Sequence, residues 1–578
     1  MFVPTSRQRG LFEAESLLSE AARQRLKNSW ASRFAESVLP VLLRLEKDFE
    51  GLYSSVGRPN WSVARMLGLC VLRELMNLGS DQEAVDALAF DVRFQHALGV
   101  GPDESYLSRR SLVDFRSRLA KHDPDGTLLE RVFREVGDEA IKDLGLSTGV
   151  QRIDSTFVRS NMAIRGRTAL LIEVLEALVE AVAGAGLSAS LAPDLLAWSS
   201  DEAGWERRAS FKQVARWLWR TLSSYANDPV VSKLPEYTTA SQLFAQHVVV
   251  GPPQTADEPD DDPGPDAPPP ARRPPREDAA TSEAESRQRK AQSESDNGNE
   301  DDATSSDDEA TFTWSTTHGT DRVQSLSDRD ARLGHKGIGY LAHISETCGN
   351  GTKPEIITEV QVVPANVADK TMTVPILASL GETENAPSTA LLDAGYTSGD
   401  ILLIGEEKGV ELVGPVANPR KRIEQPMTRS DFTFHEDGSV KECPTGQAPI
   451  RELLGRTSSH RDPQPIAIFD ADVCGACDHR AKCPVKDNQP RPTTQLVVSK
   501  GLRRRDERLR EQMKPEFRKR YALRSGVEAT ASELKRAHGA AKLTVRGYHN
   551  VRSRLLLKAI GCNAKRWIAY RFEAKEAA

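Results

Sequence analysis

The sequence predicts an α/β protein. It has an all-α N-terminal domain, a mixed strand-and-helix core, a disordered acidic segment within that core and a Cys-rich insertion near its end. Three observations predict it. Before residue 120, apolar residues recur at three- and four-residue spacing, the period of a helix with one buried face. From residue 149 onward β-branched and alternating stretches appear, in the order strand, hairpin, helix, strand, helix, strand, which is an α/β pattern. Within this second stretch, residues 251–310 carry 18 Asp/Glu against 6 Lys/Arg and 10 of the chain's 33 prolines, with no Val, Ile, Leu, Met, Phe, Tyr or Trp. Such a stretch cannot bury enough apolar surface to offset its ordering entropy.

Taken in order, helices are expected over 19–45, 61–78, 81–98 and 108–119, inside a domain of residues 1–145 that serves DNA end binding or dimerisation. Residues 146–165 hold the first core strand, GVQRIDSTFVRS at 149–160. Residues 166–250 form a helical insertion with helices over 167–187 and 206–225, the Trp-rich ARWLWRTL supplying core. Residues 251–312 are the disordered linker. The core resumes over 313–420 with a hairpin, GIGYLAHISET (337–347) and EIITEVQVVPA (355–365), joined by the turn-rich CGNGTKP. The helix TVPILASLGETE, the buried strand STALLDAGY, the helix SGDILLIGEEKG and the strand VELVGPV follow. Residues 421–500 are the Cys-rich insertion, and 501–578 are basic helices that complete the core.

Composition excludes several classes. The most apolar stretch, TALLIEVLEALVEAVAGAGL from Thr168, carries three glutamates and is an amphipathic helix rather than a membrane span. The first ten residues lack an apolar signal core, so a cytoplasmic protein is expected. Seven cysteines in 578 residues do not make a disulfide scaffold. The net charge of −6 is split: the 251–310 stretch holds −12, leaving +6 for the rest, and residues 501–578 hold 21 Lys/Arg against 8 Asp/Glu. That basic end suits either a polyanionic partner or a solvated helical face.

Three acidic residues sit in suggestive settings. Asp154 follows Ile153 on the first strand, Asp393 ends the apolar run TALLD, and Glu528 lies in the helical YALRSGVEATASELKR. Carboxylates projecting from neighbouring strand ends and a facing helix can hold two divalent cations, which bracket an in-line phosphoryl transfer. A lone Asp at a strand end is otherwise a turn former. A second cluster, Cys443, Cys474, Cys477 and Cys483, suits a closed tetrahedral zinc site, with His479 an outside candidate and four free thiols the plain alternative. Cys70, Cys348 and Cys562 are isolated and assigned to packing. The stretches at 501–521 and 542–558 interleave cations with Tyr and His, suited to phosphate contacts.

The spacing Tyr521-x2-Arg524-x3-Glu528-x6-Lys535 resembles the Tyr-Arg-Glu-Lys signature of bacterial insertion-sequence transposases of the DDE type. By chance it should occur in under ~1% of chains of this length. On a helix Arg524, Glu528 and Lys535 share one side. TDRVQSLSDRDARLGHKGIGYLAHI, VVPANVADK and LLDAGYTS resemble further segments of the same family, as do GRPNWSVARMLGLCVLREL, SDQEAV and LSRRSLVDFRSRL of its helical N-terminal domain. The resemblance implies a ribonuclease-H-like catalytic core with Asp154, Asp393 and Glu528 holding two Mg²⁺ or Mn²⁺. It implies that Tyr521, Arg524 and Lys535 contact DNA at the element's end. It further implies double-stranded DNA partners (terminal inverted repeats and target), a homodimer or higher assembly on DNA, and nucleoid association when bound. Asp330, in SDRDARLGHKG, rivals Asp154 as first acid. The rival functions are a catalytically inactive or domesticated DNA-binding protein and a stand-alone metal-dependent nuclease of the same fold.

Overall fold

A computed structural model describes residues 1–5, 14–188, 191–200, 209–252, 310–316, 319–418, 426–457, 460–487 and 493–576. The chain divides into two compact units, Met1–Ile164 with Ser327–Ala578, and Arg165–Leu326. The first opens with helices α1 (Glu20–Lys27), α2 (Trp30–Leu45), α3 (Val63–Leu75), α4 (Asp81–Phe90), α5 (Val92–Leu98), α6 (Arg109–His122) and α7 (Thr127–Leu144). Two stretches expected as single helices are each broken in two. Ser29 caps α2 by accepting from the amide of Ala31, and Asp91 caps α5 by accepting from Arg93, so each break is a helix start. The helix α7 was not anticipated, although its buried Leu129, Val132, Phe133, Val136 and Ala140 keep helical period.

The strand β1 (Val150–Val158) follows. The second unit then holds α8 (Arg167–Gly184), α9 (Pro193–Ser200), α10 (Phe211–Ser224), α11 (Pro235–His247), β2 (Val248–Gly251) and β3 (Thr311–Trp314) around its own apolar core. The expectation that Trp217 is core holds: it is buried, and its indole N–H donates to Asp194 at 2.6 Å. The acidic segment expected to be disordered lies outside the described residues over 253–309. Its two ends, however, are paired, since β2 and β3 run antiparallel with Val248 opposite Trp314 and Gly251 opposite Thr311. The second unit extends to Leu326, so residues 313–326 belong with the insertion and not with the resumed core.

The first unit resumes with β4 (Arg332–Gly334), β5 (Gly337–Thr347), β6 (Ile357–Pro364), α12 (Asp369–Gly381), β7 (Thr389–Leu392), α13 (Gly399–Glu407) and β8 (Glu411–Val413). Across the sheet the order is β6-β5-β1-β7-β8, with β4 also pairing β5. The β1–β5 and β5–β6 pairs are antiparallel, whereas β1–β7 and β7–β8 are parallel. Gly339 on β5 makes the β1 pairing possible, because a Cβ there would lie 2.5 Å from the Val158 carbonyl oxygen.

Strand alternation sorts the two faces. Val158, Tyr340, Ala342 and Ile344 pack into one core with the N-terminal helices and α18 (Tyr548–Glu576), while Ile153, Ala390 and Leu392 pack with α12 and α13. The N-terminal helices and the final helix thus share one continuous core.

Before α18 come two small sheets, β9 (Thr433–Phe434) with β10 (Val440–Glu442), and β11 (Arg451–Thr457), β12 (His460–Asp470), β13 (Lys486–Asp487) and β14 (Thr493–Val497). The short α14 (Ala471–Gly475) follows β12. Then come α15 (Lys500–Glu511), α16 (Pro515–Ala522) and α17 (Gly526–Arg536). The strands of the 426–497 region had no counterpart in the sequence reading.

Glu346 of β5, fully buried, ties these parts together. It accepts from Arg152 Nε at 2.6 Å, from Thr530 Oγ1 at 2.5 Å and from Arg566 Nη1 at 3.3 Å, and so joins β1, α17 and α18. Glu346→Leu leaves the half-buried Arg152 without its carboxylate, and Arg566 with Glu533 alone. It should cost about 3–5 kcal/mol, read as a lower denaturant midpoint for this unit.

Candidate functional site

Register sets the first two acids side by side. The parallel pairing of β1 with β7 puts Ile153 opposite Leu392, so Asp154, midway along β1, and Asp393, just past the end of β7, emerge next to each other. Asp393 Oδ1 accepts from the amide of Gly395 in the turn that follows it, and Asp154 Oδ1 accepts at 2.8 Å from the amide of Ser155, the next residue along β1. Alternation turns Asp154 to the same face as Arg152, the face covered by α17. There Arg152 donates to the carbonyl of Leu523 at 3.1 Å, which anchors the start of α17.

The third acid arrives on that helix. Arg524 donates to Asp154 Oδ2 at 2.9 Å and to Glu528 Oε1 at 2.7 Å, so one guanidinium bridges residues 154 and 528, brought together from opposite ends of the chain. Glu528 is 62% exposed while Asp154 is 20% exposed, which leaves the site open on the helix side. Tyr521 stacks on Phe517 with centroids 6.0 Å apart, and Arg524 sits 5.9 Å from the Tyr521 ring. Lys535, half-buried, reaches the same field.

Electrostatics follow from this packing. Burial pushes the Asp154 carboxyl above its ordinary value; the Ser155 amide and Arg524 oppose that shift, and the neighbouring Asp393 adds to it. Burial also pushes Lys535 down, helped by Lys336 and opposed by Asp154. Burial raises the Tyr521 hydroxyl. A carboxyl raised in the fold loses stability as pH climbs from the ordinary carboxylate value through the raised one, and loses none below both. Asp154→Asn should therefore melt at a higher temperature than wild type at pH 7, the difference vanishing in strong acid.

Two further neighbours lie in segments quoted above for the resemblance but given no role at the site. Lys336, in the tight β4–β5 turn, shares the field of Lys535 and Asp154. Asp369, at the start of α12, lies across Gly395 from Asp393: a Cβ on Gly395 would meet Asp369 Oδ2 at 3.2 Å and Asp393 Oδ1 at 3.3 Å. The VVPANVADK segment marks Asp369 in sequence, but its proximity to Asp393 depends on the β6–α12 turn. Asp330 is elsewhere: its carboxylate accepts from the Tyr548 amide at 3.0 Å and caps α18.

Three carboxylates offering only oxygen suit a hard divalent cation. The cysteine cluster lies apart. Cys443, Cys474, Cys477 and Cys483 line one cavity of about 30 Å³ with His479, room for a single water-sized occupant. The Gln447 amide points at Cys443 Sγ at 3.4 Å, and the Val485 backbone contacts Cys483. Among the described residues, the ligand atoms that lie within 4.8 Å of one another belong instead to Glu533, His538 and Cys562.

Much of the basic C-terminal charge is answered by acidic groups of the protein itself. Arg504 pairs with Glu406 and Glu511, Arg508 with Glu511 and two carbonyls, Arg510 with Asp431, Arg520 with Glu411, and Arg554 and Lys558 with Glu74. Lys514, Arg518, Lys519, Lys542, Arg546 and His549 are exposed. No helix among the described residues is long and apolar enough to cross a membrane.

Residues 442–568 match the family described as "Transposase DDE domain", and residues 20–118 match the "Transposase domain (DUF772)". The first match spans the cysteine cluster, Glu528 and most of α18, but neither Asp154 nor Asp393. No curated protein and no solved structure shows significant similarity to the chain.

Proposed function

We propose, from the premise that the two family matches support a DDE transposase of an insertion-sequence type, that the protein cuts and joins DNA at its element's ends. The observation that carries this reading is the bridge from Asp154 through Arg524 to Glu528, with Asp393 on the adjacent strand. The order β6-β5-β1-β7-β8, antiparallel on one side of β1 and parallel on the other, supports a ribonuclease-H-like core.

Asp154, Asp393 and Glu528 would hold two Mg²⁺ or Mn²⁺, a pair that activates the attacking oxygen and stabilises the leaving one. Arg524 and Lys535, with Lys336 beside them, supply the positive charge that holds the DNA phosphates. Tyr521, packed on Phe517, offers a rigid ring for the strand end to stack on or bond to. Both strand cleavage and strand transfer are in-line displacements, so positioning and charge do the work of catalysis. Exposed cations of α16 and the 542–549 turn extend the DNA-binding surface, and two element ends require a dimer or higher assembly on DNA.

Cleavage of a labelled duplex carrying the element's end tests this. Wild type with Mg²⁺ or Mn²⁺ should nick at the element boundary, and Glu528→Ala should lower that rate by at least about a thousandfold while DNA affinity persists. Binding without nicking by wild type would instead identify a DNA-binding protein. Nicking without end preference would identify a stand-alone nuclease.

The four cysteines are assigned to one structural Zn²⁺ that staples the small sheets of the 426–498 region, whose own core is only a handful of residues. Cys474→Ser should release about one zinc per chain, measured by elemental analysis, and lower the melting temperature.

A further inference from the structure

We propose that Glu533, His538 and Cys562 form a separate site for Zn²⁺ or a similar borderline transition-metal ion, buried where α17 meets α18. One nitrogen, one sulfur and one carboxylate oxygen within 4.8 Å of each other are the donor set and spacing such an ion takes, with a fourth position left for water.

The orientation of each side chain supports this. His538 is 1% exposed, and its Nδ1 lies 2.9 Å from the Glu74 carbonyl oxygen, which can only accept, so Nδ1 carries the proton. Nε2 is left with its lone pair, buried, and has no hydrogen-bond partner. A buried imidazole nitrogen with nothing to bond is uncommon and unfavourable. Here it lies 4.0 Å from Glu533 Oε1. A backbone carbonyl fixing one ring nitrogen so that the other can ligate is the usual outer support of a metal-bound histidine.

Glu533 is divided in the same way. Its Oε2 accepts from Arg566 Nη2 at 2.9 Å and Nε at 3.1 Å, which fixes the plane of the carboxylate, while Oε1 faces His538. Oε1 also meets Lys565 at 3.3 Å, but that side chain is 45% exposed and can turn to solvent. The positive charge of Arg566 is answered by Glu346 at 3.3 Å. Cys562, fully buried, lies one turn before Arg566 on α18. Two ligands about 2.1 Å from a tetrahedral ion lie about 3.4 Å apart, so the 4.0 Å between His538 Nε2 and Glu533 Oε1 has to close by about 0.6 Å on binding. Binding removes the Cys562 proton to solvent and leaves a thiolate and a carboxylate on the dication.

The plain alternative is a packing thiol beside an ion pair. It explains Cys562 and Glu533 but leaves His538 Nε2 unaccounted for. The ion would clip the end of α17, the helix of Glu528 and Lys535, to α18 and through His538 to α3. The inference does not depend on the phosphoryl-transfer reading.

The test loads the metal-stripped full chain with Co²⁺ in a Cys474→Ser, Cys477→Ser background that silences the cysteine cluster. About one Co²⁺ per chain with a thiolate-to-cobalt absorption band is expected. Adding Cys562→Ser should abolish the band, and adding Glu533→Gln should weaken binding at least about tenfold while the band survives at saturation. A background that binds no Co²⁺, or a band indifferent to Cys562→Ser, overturns the proposal. Should that background lose its helical circular dichroism, Cys562→Ser alone in the otherwise wild-type chain should lower bound metal by about one equivalent, and unchanged stoichiometry overturns it.

Discussion

The buried carboxylate of Glu346 is the constraint on which the site depends. Without it, nothing on β5 would answer Arg152 and Arg566 or hold Thr530, and α17 would have no fixed seat over β1. Glu528 stands about half a turn from Thr530 on that helix, and Arg152 also grips the Leu523 carbonyl just before it. A fully buried charge is tolerated because every partner is in place, and for the same reason it is sensitive to the loss of any one. The price of the arrangement is rigidity where two guanidiniums meet.

Charge in this protein is paired within the chain more than composition suggests. The excess of Lys and Arg after residue 500 looks like a free polyanion-binding surface, yet Arg504, Arg508, Arg510, Arg520, Arg554 and Lys558 are each engaged within the fold. Glu74 alone receives Arg73, Arg554 and Lys558, and this holds its carboxyl below its ordinary value despite burial. Exposed cations outside these pairs include Arg518 and Lys519 of α16 and Lys542 and Arg546.

Arg524 holds a related position at the candidate site. By bonding to both Asp154 and Glu528 it offsets the mutual repulsion of carboxylates gathered at a half-open surface. Burial still wins at Asp154, whose carboxyl stays raised. A group held at some cost to stability is common where chemistry requires it.

Local pattern by itself determined the helices of the N-terminal region, the strands carrying Ile153 and Leu392, and the acids that follow those residues, because period and turn chemistry are short-range properties. It also singled out the Tyr521–Lys535 spacing, since one helix carries those residues at fixed pitch. It missed α7 and the small sheets of the cysteine region, where four of the six strands have five residues or fewer and the longest, β12, carries Pro463 and Pro465. What tertiary structure alone decided was which distant groups meet. The β1–β7 register sets Asp154 beside Asp393, Gly339 allows the β1–β5 pair, and Asp330 is sent to cap α18. Lys336, Asp369 and the grouping of Glu533, His538 and Cys562 likewise arise only when strands and helices far apart in the chain pack. Their proximity comes from core packing and buried ion pairs, and neither leaves a periodic trace in sequence.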